Sequence, residues 1–389
     1  MGDNPPSGQR ELPPLSLYIH LPWCLRKCSY CDFNSHALDG PLPEQPYVQA
    51  LLADLDEELR WQPVQSPLTA IFLGGGTPSL LSANAVEQLL PGIRARVPWV
   101  PGIEISLEAN PATAEARRFA GYREAGINRL SLGVQSFSDA QLKRLGRLHS
   151  AGEAVEAVAL ARRAGFDRLN LDLIYGLPEQ TLEAAAEDLA RAIDLTPDHL
   201  SYYQLSIEPH TLFSVHPPLL PDHDLLAEMY LQGQALLQAA GYEQYEISAY
   251  ARPGQACRHN LNYWQFGDYL GIGAGAHGKR TDAAGIIWRR VKQPHPKRYL
   301  QAESGAQRLF SQTPLQPEER KLEFLLNAFR LTAGFDASLF TERTGLSLAA
   351  IQPGLQRAEA AGLLRCADGW IQLSPRGQRF VDTLLRDFF

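Results

Sequence analysis

Residues 18–33 read YIHLPWCLRKCSYCDF, and the rest of the chain is organised around them. Three of the five cysteines, Cys24, Cys28 and Cys31, fall here in a C-x3-C-x2-C spacing. A short irregular loop can turn three neighbouring thiolates toward one inorganic centre, and thiolates are the ligands that hold iron–sulfur clusters. A cubane with four irons normally takes four thiolates, so three leave one iron open to a further ligand. The spacing therefore indicates a 4Fe–4S cluster with one open iron.

These cysteines have two other conceivable uses. A structural zinc ion needs four closed ligands, and His20 or His36 could supply the fourth. Common zinc patterns pair two C-x2-C units, and the chain has no second pair. Disulfides are disfavoured because the cysteine count is odd and no secretory signal is apparent. Free cysteines and an oxygen-sensitive cluster suit a reducing compartment, and we expect the cytoplasm.

Length and charge narrow the class of protein. A chain of 389 residues can bury a large core and is expected to form two domains. The formal net charge of −7 gives no general attraction to nucleic acid or to anionic lipid. No apolar run approaches the roughly 18 residues typical of a membrane span, so none is predicted. Residues 1–14 are rich in proline, glycine and polar types and are expected to form a flexible tail.

Short apolar segments alternate with amphipathic helical segments along residues 15–250. This alternation predicts an α/β fold with a parallel sheet and crossover helices. Six βα units can be counted, fewer than the eight that close a barrel. The predicted strands are Leu15–Leu21, Ala70–Leu73, Ile103–Leu107, Arg129–Val134, Leu169–Ile174 and His199–Leu205.

Polar and glycine-rich residues follow directly after these strands. The carboxyl ends of parallel barrel strands carry the active site, so these residues are expected to meet at one end of the sheet. The group consists of the cysteine loop, residues 74–76, Glu108, Gln135, Asp172 and Ser206.

The three-cysteine spacing, with an aromatic residue just before the last cysteine, resembles the signature of the radical SAM superfamily. Proteins of that family bind S-adenosylmethionine (SAM) at the open iron, through its amino and carboxylate groups. The resemblance implies a partial (β/α)6 barrel, similar to a TIM barrel but open on one side. The implied cluster ligands are the three cysteines, and the implied SAM contacts are Tyr18, Tyr30, Gly75, Gly76, Thr77, Glu108, Gln135, Arg147 and Asp172.

Each implied SAM residue also has a simpler interpretation. The glycine run could form only a tight turn, since glycine readily adopts such backbone conformations. Glu108 could be a helix N-cap or part of a surface salt bridge. In the family pattern, by contrast, Arg147 pairs with the SAM carboxylate and Asp172 accepts hydrogen bonds from the ribose.

The run from Tyr18 to Cys24 looks like the coproporphyrinogen-oxidase-like branch of the superfamily. Oxygen-independent oxidases of that branch carry an additional cysteine two residues past the third cluster cysteine, where this chain has Phe33. They also carry a longer N-terminal extension, whereas seventeen residues precede Tyr18 here. Both departures favour the HemW group, which resembles the oxidases but is implied to bind heme and pass it to acceptor hemoproteins, expected to be respiratory ones. The group's H-N-x-x-Y-W motif matches residues 259–264.

This motif supplies the candidate heme contacts, His259, Tyr263 and Trp264. Imidazole is a common axial ligand of heme iron, and two aromatic rings offer flat apolar surface to a porphyrin. The simpler interpretation is a histidine that caps a turn. Cys257 and His277 are alternative iron ligands. A local basic cluster could meet the heme propionates; its members are Arg289, Arg290, Lys292, Lys297 and Arg298.

We divide the chain into a tail (1–14), a barrel (15–250), a connecting segment that carries the motif (251–313) and a C-terminal module (314–389). The last segment is predicted to be a small winged-helix-like α+β domain.

Such a module suggests an iron–sulfur DNA-binding regulator, but helix 348–361 lacks a basic footprint and nucleic-acid binding is not expected. A radical SAM enzyme acting on an unknown small molecule, or the oxidase itself, stays the main alternative, because fold does not fix function. Whether the chain forms a homodimer stays open.

Overall fold

A computed structural model describes residues 12–386 and residue 388. Of the predicted tail, residues 1–11 lie outside the described residues. Within the described part, no helix is both long enough and apolar enough to cross a membrane.

One large mixed sheet forms the framework of the molecule. Six of its strands run parallel, and each pairs with the next along the chain. These six are the predicted strands; the four inner ones are longer than predicted, and the last ends one residue earlier. The predicted α/β fold is confirmed, within a mixed sheet. The bounds of the six strands are Leu15–Leu21, Leu68–Gly75, Trp99–Ala109, Arg129–Gln135, Arg168–Tyr175 and His199–Gln204.

The crossover helices begin at the polar residues that usually cap helices. Ser82, Ser150 and Thr181 each accept a hydrogen bond from a backbone N–H in the first turn, and Ser150 forms a full capping box with Glu153. Up to the end of the parallel strands the helices are Glu44–Trp61, Ala83–Arg94, Thr113–Ala116, Phe119–Glu124, Asp139–Leu145, Ala151–Arg163 and Leu182–Asp194, with a 3-10 turn at Pro78–Leu80. Their apolar faces and the sheet enclose the main hydrophobic core.

Both edges of the parallel sheet are extended by later parts of the chain. Helices Leu212–Val215 and His223–Ala239 lead to two further strands. Ala249–Ala251 pairs antiparallel with the last parallel strand, and Glu243–Glu246 pairs antiparallel with Ala249–Ala251. On the other side, Asp268–Ile272 pairs in parallel with Leu15–Leu21. The remaining strands of this edge are antiparallel to one another and comprise His277–Thr281, Ile287–Lys292 and Leu309–Pro314.

Residues 251–313, expected only to connect two domains, therefore carry four strands of the main sheet and the helices Arg258–Trp264, Pro296–Gln301 and Gly305–Arg308. The strands escape recognition in the sequence because they place charged residues inside the protein. Lys279 is 1% exposed, and its Nζ lies 2.8 Å from Oδ1 of Asp268. A buried ion pair of this kind interrupts the alternation of apolar and polar residues by which a strand is recognised.

Three of the five residues in the predicted basic cluster form ion pairs with acidic side chains. Lys292 is buried and contacts both Asp54 and Glu58 of the first helix at 2.5 Å, and Arg290 contacts Glu58 at 3.0 Å. Arg289 pairs with Glu323. Three of the five proposed propionate contacts thus bind the first helix or the C-terminal part to the sheet, and the expectation of a free basic surface is wrong for them.

The C-terminal part has its own small core, built around Phe324, Phe335 and Phe340. Its three-stranded sheet has the order Phe335–Asp336, Trp370–Leu373, Leu364–Ala367. Helices surround this sheet at Pro317–Ala328, Ala337–Thr344, Gln352–Ala360, Pro375–Arg379 and Val381–Arg386, with a 3-10 turn at Leu348–Ala350. The winged-helix assignment and the domain boundaries stay predictions.

Candidate functional site

A cavity of about 480 Å³ opens at the carboxyl ends of the parallel strands. We call it the first cavity. All three motif cysteines line it, together with every residue of the expected SAM set except Tyr18. Its predicted lining residues are Cys24, Cys28, Tyr30, Cys31, Gly75, Gly76, Thr77, Glu108, Gln135, Arg147 and Asp172.

The three cysteines are unpaired, half-buried thiols beside polar groups. Sγ of Cys28 lies 3.5 Å from Nη1 of Arg147, and Sγ of Cys31 lies 3.8 Å from the hydroxyl of Ser35. Burial raises the pKa of the Cys24 thiol, while a hydrogen bond from Thr77 opposes that rise. These donors would stabilise negatively charged sulfur.

The donor set fits a cluster better than a single ion. In residues 12–386 and 388, no three Cys, His, Asp or Glu side chains converge closely enough to hold one metal ion. A cubane requires no such convergence, because each thiolate binds a different iron. The arrangement therefore gives no support to the zinc alternative with His20 or His36.

The glycine turn is shaped by close packing. Gly75 has a φ of +115°, and a Cβ at this position would lie 2.6 Å from the ring of His20. A Cβ at Gly76 would lie 2.6 Å from the backbone oxygen of Trp23. Only glycine fits at either position, so the backbone of the turn can lie close to a ligand in the cavity.

Two largely buried carboxyl groups face the cavity from the third and the fifth parallel strands. Burial, reinforced by the nearby Asp172, raises the pKa of Glu108 to about 8. Asp172 accepts hydrogen bonds from Ser131 at 3.0 Å and Asn170 at 2.8 Å. Glu108 is therefore largely protonated near neutral pH. Burial also raises the pKa of Asp172, and its hydrogen bonds oppose that rise.

Arg147 reaches the same wall from the loop after the fourth parallel strand. Its Nη2 donates to Oδ1 of Asn110 at 2.6 Å and to the backbone oxygen of Gly133 at 2.7 Å. Its Nε is buried and has no hydrogen-bond partner among the described residues. The guanidinium is thus held rigidly, with one donor left for a ligand.

The H-N-x-x-Y-W motif forms the helix Arg258–Trp264, which packs on the first two strands. His259, Tyr263 and Trp264 line a second cavity of about 440 Å³, to which Tyr18 also contributes. The two cavities share part of their walls, namely Phe33, Glu108, Ser131, Asp172 and Ser201. Motifs far apart in sequence are therefore neighbours in space.

His259 is buried, and its ring lies against those of Phe72 and Tyr18, with centroid distances of 5.0 and 6.2 Å. Burial lowers its pKa to about 4, so the imidazole is neutral near pH 7 and can act as a ligand. Of the alternatives, Cys257 is a buried thiol whose pKa burial raises to about 12, and His277 lines neither cavity.

Several residues of the second cavity were not singled out in the sequence. They include Ser106, Arg129, Asn170, His199 and Ser201. A signal for them exists, because alternate residues of a strand face the same side of a sheet. In the fourth parallel strand the positions 129, 131, 133 and 135 all line one of the two cavities.

Comparison with known proteins agrees with this geometry. A model of the radical SAM superfamily matches residues 18–192, and a model of the HemN C-terminal domain matches residues 315–380. Over 97% of this chain and 91% of the other, the fold is similar to that of coproporphyrinogen III oxidase from Escherichia coli, with a TM-score of 0.81 and 24% sequence identity. The fold and the match define the class as radical SAM, with a HemN-like architecture.

Relatives of nearly full length identify the group within that class. The chain is 52% identical to the heme chaperone HemW of Escherichia coli, over 97% of this chain and 99% of that protein. It is 50% identical to the heme chaperone HemW of Haemophilus influenzae, over 97% of this chain and 98% of the relative. The chain belongs to the HemW family of radical SAM proteins.

Proposed function

We propose that the protein is a heme chaperone that holds a 4Fe–4S cluster and SAM, binds heme and transfers it to acceptor hemoproteins, respiratory ones among them. The observation that carries this proposal is the near full-length match, at 52% identity, to a relative named as a heme chaperone. Five unpaired cysteines and a thiolate-held cluster favour the cytoplasm, a reducing compartment, as the site of action.

The residues of the first cavity are suited to the two cofactors. Cys24, Cys28 and Cys31 would hold three irons, and the backbone of Gly75 and Gly76 would approach the SAM amino group closely. When bound, the cluster and SAM supply one-electron chemistry. The free Nε of Arg147 would donate to the SAM carboxylate, in a charge-assisted bond.

Other residues of this wall would fix the orientation of SAM. Asp172 would accept hydrogen bonds from the ribose, and Thr77 lies beside both the turn and Cys24. Gln135 has a φ of +70° and accepts a hydrogen bond from the hydroxyl of Tyr203 at 2.8 Å, which fixes its amide in the cavity wall. Tyr30 completes the lining beside the cysteines.

For heme we propose the motif residues His259, Tyr263 and Trp264. The neutral imidazole of His259 can donate a lone pair to iron, and the rings beside it offer apolar surface. The position of this site, directly against the first cavity, would let a ligand there respond to the presence of SAM. In such a chaperone, the binding and release of heme would depend on whether SAM occupies the first cavity.

A second candidate function is favoured by the same geometry. A cavity that carries several polar side chains and shares a wall with the SAM cavity is also what a radical enzyme acting on a small molecule requires. Such an enzyme would consume SAM only when its substrate is added. SAM turnover without heme, dependent on an added small molecule, would therefore support this second candidate.

Titration of the anaerobically reconstituted full chain with heme, in the presence and absence of SAM, tests the proposal. We expect a defined Soret band for the wild type and a shifted or lost band for His259→Ala, with the cluster iron unchanged. His216→Ala, at an exposed histidine outside both cavities, is the matched control and should behave like the wild type. Failure of the wild type to bind heme would reject the chaperone and leave the radical enzyme.

Unchanged binding by His259→Ala would remove only this residue from the heme site. Transfer is measured separately, by mixing heme-loaded protein with an apo-hemoprotein acceptor. The triple alanine variant of the cluster cysteines should keep heme and lose delivery.

A further inference from the structure

We propose that the floor of the second cavity is a carboxylate-binding site centred on Arg129, which takes a carboxylate attached to a flat apolar body. This inference deepens the proposed function and rests on it for the identity of the ligand: in a heme chaperone the carboxylate is a heme propionate. A free aromatic carboxylic acid has the same chemistry and is distinguished below.

The first line of evidence is a set of buried, unpaired polar atoms in this cavity, of which the Arg129 and Trp264 nitrogens can only donate. Nη2 of Arg129, Oγ of Ser106, Nδ1 of His259 and Nε1 of Trp264 have no hydrogen-bond partner within the described residues. All four residues line the second cavity, and the first three are 3%, 1% and 7% exposed. Buried polar groups are almost always paired, so four unpaired groups around one space indicate a ligand with several acceptor atoms.

The balance of charge around Arg129 points to an anion. Arg129 and Arg168 contact the same carboxylate oxygen of Glu104, at 3.4 and 3.2 Å. The other oxygen of Glu104 accepts the backbone N–H of Arg258 at 2.8 Å. Two guanidinium groups therefore share one carboxylate. Arg168 is 32% exposed and reaches solvent, whereas Arg129 is buried and has only a shared carboxylate to balance its charge.

The other ionisable groups of the cavity do not neutralise that charge directly. Asp172 is engaged with Ser131 and Asn170. Glu108 lies at the shared wall and donates no charge while it is protonated. His199 is hydrogen-bonded to Asn170 at 2.6 Å and to the hydroxyl of Tyr245 at 2.8 Å.

The rest of the wall defines the body that carries the carboxylate. Tyr18, Phe72 and Tyr263 surround His259 with ring centroids 5.0 to 6.5 Å from the imidazole. Aromatic side chains at such distances favour a planar, apolar partner. A cavity lined both by a buried guanidinium and by aromatic rings matches a ring system that bears a carboxylate.

Heme and heme dimethyl ester are the probes that isolate the carboxylate, because the ester keeps the macrocycle and the iron but has no negative charge. Each is titrated anaerobically into the full-length reconstituted protein. We expect the wild type to bind heme at least tenfold more tightly than the ester. Arg129→Gln should abolish this preference, and Arg129→Lys should retain part of it.

Replacement of Arg129 also removes its ion pair with Glu104, which affects folding. A second variant that leaves this ion pair intact therefore tests the site independently. Trp264→Phe removes one unpaired N–H, keeps an aromatic ring and leaves the ion pair intact. It should weaken heme binding more than ester binding, because an N–H donates more strongly to a carboxylate than to an ester. Arg96→Gln, which breaks a surface pair with Asp56 outside the cavity, is the matched control and should keep the wild-type preference. Thermal melts of every variant confirm that it is folded.

The outcomes separate the two proposals. The carboxylate site is overturned if the wild type binds heme and the ester with equal affinity. It is also overturned if folded Arg129→Gln and Trp264→Phe keep the wild-type preference for heme. The unpaired polar atoms of the second cavity would then bind water. If the wild type binds neither porphyrin, the chaperone fails, and 1-naphthoate is titrated by calorimetry instead. Binding of naphthoate that requires Arg129 would establish the site for a free acid, and absence of binding would overturn it.

Discussion

The backbone N–H of Gly75 donates to Oε2 of Glu108 at 3.2 Å, and this bond joins the glycine turn to the end of the neighbouring strand. Within the described part of the chain this carboxyl group forms no salt bridge, and burial is the main cause of its raised pKa. The protonated carboxyl group of Glu108 therefore forms part of the wall of the first cavity.

The first prediction concerns stability against pH. Glu108 has an ordinary pKa of 4.5 and a pKa of about 8 in the folded protein, so the folded state binds more protons between these values. Its contribution to stability is fully present below pH 4.5 and is lost as pH rises through 8. Glu108→Gln should flatten this decline, measured by urea unfolding at several pH values.

Glu183→Gln, at an exposed acid on a helix surface, provides the comparison and should keep the wild-type slope between pH 5 and pH 9. A slope for Glu108→Gln equal to that of the wild type would show that Glu108 titrates normally.

The second prediction concerns the cluster. Replacement of Cys24, Cys28 and Cys31 by alanine should abolish bound iron and sulfide after anaerobic reconstitution, because no thiolate of the motif remains. The Cys257→Ala and Cys366→Ala variants should retain both. Colorimetric iron and sulfide assays measure the effect, and a full complement in the triple variant would contradict the assignment.

The third prediction concerns SAM. Saturating SAM should change the EPR spectrum of the reduced cluster, because the amino and carboxylate groups of SAM would bind its open iron. Arg147→Gln should weaken this response by about tenfold or more, as expected for the loss of a charge-assisted hydrogen bond. Arg144→Gln, which affects an exposed pair with Glu179, should not. A spectrum insensitive to SAM would count against the site.

The fourth prediction concerns the buried ion pairs beneath the sheet. Lys292→Met should cost about 3–5 kcal/mol of unfolding free energy, because Asp54 and Glu58 would lose their buried cation. Lys297→Met, at an exposed position two residues into the next helix, should cost less than about 0.5 kcal/mol. Chemical denaturation measures both, and similar values for the two variants would disprove the structural role of Lys292.

The fifth prediction concerns activity. The protein should not convert coproporphyrinogen III to protoporphyrinogen IX under anaerobic reducing conditions with SAM. The reason is Phe33, which is 59% exposed at the shared wall of the two cavities and occupies the position of the oxidase-type cysteine. Product detected by chromatography would show that the side chain at this position does not decide the activity.

The sequence allowed the parallel half of the sheet to be predicted but not its edge. The six parallel strands are short apolar runs that end in turns, a pattern that depends only on local residues. The strands between Asp268 and Pro314 contain buried cations such as Lys279 and Lys292, whose partners lie elsewhere in the chain. No local pattern distinguishes a buried, paired lysine from an exposed one.

Some residues of the candidate site could likewise be predicted from the sequence, and others could not. Spacing alone identified the cysteines, and the residues after each strand could be placed at one end of the sheet. The role of Arg129 could not be foreseen, because a single basic residue at the start of a strand is usually exposed. Its burial becomes evident only when Glu104 and the helix Arg258–Trp264 are positioned around it.

The central position of the strand Leu15–Leu21 has a consequence for biosynthesis. Leu15 pairs with Leu68 on one side and with Asp268 on the other, and Asn34 donates to the backbone oxygens of Ala274 and Pro294, both at 3.0 Å. Because the ribosome releases the chain from its N-terminus, the cysteine loop emerges long before these partners exist. Until residue 294 has been made, one side of the first strand is an unprotected sheet edge and the loop lacks its anchor. The nascent chain therefore keeps this sheet edge open, and the Asn34 end of the loop unanchored, until the segment that follows the barrel has been made.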